Sequence, residues 1–124
     1  MTRTNISSGG AYEDIFGYSR AVRVGDDIHV SGTCAPVTHE KKNAYDQASA
    51  ALEIIDKALQ DAGGSLRHVV RTVVYLREIT DADLVARAHR ESFGDVRPAS
   101  TLVQVTSMLR PWQKVEIEAY ATVP

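Results

Sequence analysis

The stretch His68-Val69-Val70-Arg71-Thr72-Val73-Val74-Tyr75-Leu76 decides the fold. Its valines, threonine and tyrosine are stiff or flat side chains that suit a pleated strand better than a helix. Both alternating sets carry large apolar groups: Val70, Val74 and Leu76 on one side, Val69, Val73 and Tyr75 on the other. Helices packed on the sheet can cover only one of those faces. The second is expected to bury itself against another subunit.

Upstream, Tyr45, Ala48, Leu52, Ile55, Leu59 and Ala62 recur at alternating steps of three and four, which predicts an amphipathic helix over residues 44–62. Glu53 and Lys57 are spaced for an ion pair on its wet side. Gly63-Gly64 marks its end, since glycine accepts the left-handed conformation of a helix C-cap. Further upstream, the runs Ser19–Val24 and Ile28–Ser31 read as a hairpin turning at Gly25-Asp26-Asp27. Downstream, Thr80 and Asp83 suggest a weak capping box for a second helix reaching about Ser92 and closed by Phe93-Gly94. Ser100–Val105 and Val115–Val123 read as the last strands. The predicted order is ββαβαββ, an α+β fold with a mixed sheet and two helices on one face.

At 124 residues the chain is the size of one domain, 1–124, and its Ser- and Gly-rich residues 1–16 read as an irregular N-terminal arm. The 14 Lys and Arg against 16 Asp and Glu leave a net charge of −2, so no basic field for nucleic acid is present. The single cysteine, Cys34, has no partner for an internal disulfide, which suits a reducing compartment. No stretch approaches the ~18 apolar residues of a membrane span. The N-terminal residues lack the apolar core of a signal peptide. A cytoplasmic protein that binds neither membrane nor nucleic acid is expected.

No metal is expected either: His29, His39, His68 and His89 are scattered, none four residues from another. Cys34 reads as inert packing beside a strand end. Within the last strand, Glu116, Glu118 and Tyr120 alternate against Ile117, Ala119 and Ala121. Glu116 reads as a solvated strand residue. Glu118 is singled out because a carboxylate buried in an oligomer must be paired, hydrogen-bonded or protonated, and such a group suits general acid/base work.

The order Phe16-Gly17-Tyr18-Ser19-Arg20-Ala21-Val22, Val24-Gly25-Asp26, Val30-Ser31-Gly32-Thr33, Arg71–Leu76, Glu91-Ser92-Phe93-Gly94, Arg97-Pro98-Ala99 and Val115–Ala119 resembles the Rid family, also called YjgF or L-PSP endoribonuclease. The resemblance spans Phe16 to about Ala121. It implies a chorismate-mutase-like fold, three subunits around a central barrel of sheets, and a small-molecule cleft at each subunit interface. Family members similar to RidA hydrolyse enamines and imines to a keto acid and ammonia, with no cofactor. The resemblance places Tyr18, Ser31, Gly32 and Leu102 at that cleft and gives Glu118 the water-handling role.

One departure bears on substrate choice. The deaminase motif Pro-Ala-Arg carries an arginine for the substrate carboxylate, and here the run is Pro98-Ala99-Ser100. Serine cannot make the bidentate, charge-assisted contact of a guanidinium. Ala86 stands where some members carry asparagine. Arg97 is expected to be held extended by Pro98 and turned away from the same cleft. The reading is therefore a Rid-type hydrolase of a small imine or enamine other than the usual 2-imino acids, with Glu118 catalytic and Tyr18, Ser31, Phe93 and Ser100 shaping the pocket. A non-catalytic trimeric binding module is the alternative, with endoribonuclease activity behind both.

Overall fold

The computed structural model describes residues 2–124. Six strands form one sheet: β1 (Arg3–Ile6), β2 (Ala21–Val24), β3 (Asp27–Thr33), β4 (Val69–Leu76), β5 (Ala99–Gln104) and β6 (Val115–Thr122). Among the described residues three α-helices accompany them, α1 (Ala11–Phe16), α2 (Ala44–Asp61) and α3 (Ala82–Phe93), with three single-turn 3-10 segments between elements. The strand order is β1-β2-β3-β6-β4-β5, antiparallel throughout except for the β4–β5 pair. From β2 onward the elements follow the ββαβαββ order expected, and α2 and α3 pack on one face of a mixed sheet.

The core lies between that face and the two helices. Ala48, Leu52, Ile55 and Leu59 of α2 meet Ile28, Val74, Ile117 and Ala119 of the sheet, all at 3% exposure or less. Asn43 caps α2 through Oδ1, which accepts from the Asp46 N–H at 2.9 Å. Gly63, at φ +88°, lets the chain turn back so that the Gly64 N–H reaches the Leu59 carbonyl at 2.7 Å. Fully buried Gln47 ties the start of α2 to the β5–β6 connection: its Oε1 accepts from the Lys114 N–H at 2.9 Å, and its amide faces the His39, Lys42 and Trp112 carbonyls.

Several local expectations are corrected. The arm, of which residue 1 lies outside the described residues, is not irregular over 2–16: β1 adds to the edge of β2, from Arg3 opposite Val24 to Ile6 opposite Ala21, and α1 follows. The device that orders this arm is Glu13, whose buried carboxylate accepts from the Ser8 N–H and hydroxyl and from the Gly10 N–H. Burial raises its pKa, but those donors outweigh burial and leave it below the usual value. Lys57 pairs with Asp61 at 2.9 Å and not with Glu53. Helix α3 starts after Asp81 with no side-chain cap, so the Thr80–Asp83 box does not form. In β4 the register shifts between Val69 and Arg71, which leaves Val70 exposed and puts Val69 inside with Thr72, Val74 and Leu76. A bulge inserts one residue and flips the face of everything before it.

Candidate functional site

Glu116 and Glu118 both project from β6 on the face that no helix covers, because Val115, Ile117, Ala119 and Ala121 take the inner face. Their surroundings differ. The Tyr75 hydroxyl donates to Glu118 Oε1 at 2.6 Å, and the Tyr120 hydroxyl donates to Oε2. The hydrogen bond to the carboxylate, followed by burial, pushes the Tyr75 pKa up to about 12 and raises that of Tyr120. Both oxygens of Glu118 are thus engaged by neighbouring phenols.

Glu116 instead lies over the end of β3. The β3–β6 register shifts between Val30 and Thr33, so Ser31 and Gly32 form a bulge. A Cβ at Gly32 would lie 2.6 Å from Glu116 Oε2, so the carboxylate occupies the space that a side chain would fill. The Cys34 thiol donates to Glu116 Oε1 at 3.4 Å. Burial, then the nearby Glu116 charge, raise the Cys34 pKa, which keeps it a thiol and makes it a poor nucleophile. Glu116 also lines an open cavity of ≈ 420 Å³ with Tyr75, Val105, Ser107, Met108 and Leu109.

Arg20 holds the bulge in place, a role that its position before a strand did not signal. It is 8% exposed, and its guanidinium donates to the Gly32 carbonyl at 2.8 Å, Thr33 Oγ1 at 2.9 Å and the Tyr18 hydroxyl at 2.6 Å. The Ser31 hydroxyl donates to the Ser19 carbonyl at 2.6 Å. Tyr18, Ser31 and Gly32, predicted as site residues, therefore do cluster. The carboxylate they cluster with is Glu116, which the alternation of β6 alone left as a solvated residue.

The remaining predicted residues lie elsewhere. Ser100 and Leu102 pair with Thr72 and Val74, which puts them on the helix side of the sheet, opposite to Glu116 and Glu118. One copy of the chain therefore does not bring Ser100 and either glutamate into a single cleft. Phe93 is 2% exposed and packs on the His89 ring at 4.8 Å between centroids, so it is core rather than pocket wall. Arg97 is not extended. It has φ +55°, and its N–H bonds the Phe93 carbonyl at 2.8 Å to close α3.

The α+β architecture and these two clusters define a chain of the chorismate-mutase-like class. The family model described as Endoribonuclease L-PSP matches residues 10–123. A crystal structure of a YjgF/YER057c/UK114 family member from Mycobacterium tuberculosis superposes with a TM-score of 0.93 at 40% identity, covering 98% of this chain and 100% of that one. An uncharacterized protein of Streptomyces coelicolor is 37% identical over 120 residues, 93% of this chain and 90% of its own. The mouse protein named 2-iminobutanoate/2-iminopropanoate deaminase is 32% identical over 125 residues, 98% and 92% of the two chains. The chain belongs to the Rid (YjgF) family, and its relatives include imine deaminases.

Proposed function

We propose that this chain is a Rid-type hydrolase of a small imine or enamine, working in a cleft between copies of itself, with Glu116 rather than Glu118 handling the water. The observation that carries this reading is the environment of Glu116. Its carboxylate borders an open cavity beside the Gly32 bulge, whereas the neighbouring carboxylate is occupied by two tyrosines. Glu116 accepts a proton from water as the water oxygen bonds to the C=N carbon, and the nitrogen takes up a proton. The resulting carbinolamine then collapses to a carbonyl compound and ammonia. One carboxylate serves both steps by relaying the proton.

Assembly is part of the proposal, because Ser100 and Glu116 lie on opposite faces of one sheet. A homotrimer supplies the second half of each cleft from a neighbour, and it covers the half-exposed Val73 and Tyr75 and the exposed Val103. The cytoplasmic location and the absence of a cofactor stay with this reading. The missing arginine at Ser100 favours the alternative of a binding module. Net charge −2 gives an endoribonuclease no field for its polyanionic substrate.

The test is hydrolysis of enzymatically generated neutral and 2-carboxylated imines, with light scattering of the same samples. A particle of three chains is expected. Glu116→Gln should lower the rate by at least about a hundredfold and Glu118→Gln by less than about fivefold. The reverse ranking would return the role to Glu118. No turnover of any imine by a trimer that binds the carbonyl products would select the binding module.

A further inference from the structure

On the helix side of the sheet, three polar side chains from three elements form a chain of hydrogen bonds. Thr72 Oγ1 of β4 lies 2.8 Å from Ser100 Oγ of β5 and 2.8 Å from His89 Nε2 of α3. Thr72 is fully buried, His89 half-buried and Ser100 exposed, so the chain runs from the core to the surface. It ends at a cavity of ≈ 340 Å³ whose lining includes Val74, Val85, Leu102, His89, Ser100 and the exposed Arg90. The aliphatic residues give the cavity an apolar wall. Neither Thr72 nor Ser100 can carry charge.

We propose that Ser100, Thr72 and His89 form a neutral recognition wall that takes the carbonyl oxygen of a small uncharged carbonyl compound or amide in place of a carboxylate. It rests on reading this edge as one half of the ligand cleft. The chain has two proton orders. With the proton on Nε2, His89 donates to Thr72, Thr72 to Ser100, and the Ser100 hydroxyl is left to donate to the ligand. With the proton on Nδ1 the order reverses, and Ser100 can only accept. A carbonyl ligand therefore selects the first order. Burial lowers the His89 pKa, which keeps the ring neutral and free to change tautomer near pH 7. Among the described residues Arg90 is the one charged group that lines this cavity, and β4 and β5 contribute none.

The experiment is calorimetric titration of the intact protein with 2-oxobutanamide and 2-oxobutanoate, near-isosteric probes that differ in charge, with the ring nitrogens of His89 followed by NMR. The amide should bind at least about tenfold more tightly, since Ser100, Thr72 and His89 offer a carboxylate no opposite charge and the exposed Arg90 is screened by solvent. Amide binding should drive His89 toward the Nε2-protonated tautomer. Ser100→Ala and His89→Phe should each weaken the amide by about fivefold or more. His89→Gln, whose N–H can still donate to Thr72, should hold amide affinity within about twofold. Thr72→Val breaks the chain at its centre, and if that variant fails to fold, the Ser100 and His89 variants carry the test.

Tighter binding of 2-oxobutanoate, lost in Arg90→Gln, would overturn the proposal in favour of an anion site. So would amide binding that leaves the His89 tautomer unmoved, or no binding of either probe. The readout is binding without turnover. Amide preference that survives in a protein with no imine hydrolysis would retire the hydrolase and keep this wall, and hydrolysis without the preference would do the opposite.

Discussion

On the face covered by α2 and α3, Ala21, Ile28, Leu76, Val115 and Ile117 are at most 1% exposed. On the other face β4 and β6 carry Tyr75, Glu116, Glu118 and Tyr120, all half-buried. The covered face has its solvent replaced by side chains that interdigitate, so its residues are interchangeable only in volume. The open face is a polar surface framed by apolar residues, and its carboxylates differ by what reaches them. Stability resides on the first face and the proposed chemistry on the second.

The largest effect that would sharpen this contrast is a cavity on the covered face. Ile117→Ala should cost about 2–5 kcal/mol, read from denaturant unfolding. A loss below about 1 kcal/mol would mean that the core collapses around the gap. Next comes Gly32→Ala, which leaves the core untouched. The added methyl would lie 2.6 Å from Glu116 Oε2, 2.9 Å from its carboxyl carbon and 3.3 Å from Cγ, so that side chain must swing away. Stability should change by less than about 1 kcal/mol, while imine hydrolysis should fall by at least about tenfold. Unchanged hydrolysis in Gly32→Ala would break the link between the bulge and the carboxylate.

The smallest effect is a titration. Tyr75 should stay protonated past its ordinary 10.0 and ionise near pH 12, read by ultraviolet difference spectroscopy. Its folded pKa is raised, so the stabilisation it contributes is fully present below pH 10.0 and is lost as pH rises through about 12. Glu118→Gln removes the acceptor charge and should bring the Tyr75 transition down toward 10.0. A transition that stays near 12 in Glu118→Gln would assign the shift to burial instead.

The sequence by itself determined the helix at residues 44–62 and the strands around it, because a helix stripe and a two-faced strand are periodic patterns imposed by backbone geometry. It also determined the family, since the glycine, proline and acidic positions occur in one order along the chain. Tyr18, Ser31 and Gly32 were placed at one cleft by the family resemblance alone, and the structure brings them together across the β2–β3 hairpin. The arm was not, since what folds it is one carboxylate, Glu13, gathering donors from Ser8 and Gly10. The proposal of Glu116 in place of Glu118 rests only on tertiary structure. Residues two apart on a strand share a face, so alternation cannot separate them. The β3 bulge separates them, bringing Gly32 and Cys34 to Glu116 while Tyr75 and Tyr120 occupy Glu118. The separation of Ser100 from both glutamates was likewise set by pairing: β5 lies parallel to β4 with Ser100 opposite Thr72, and that register turns Ser100 toward the helices and His89. Register depends on which strands meet, and residues far apart in the chain meet only when the whole sheet has formed.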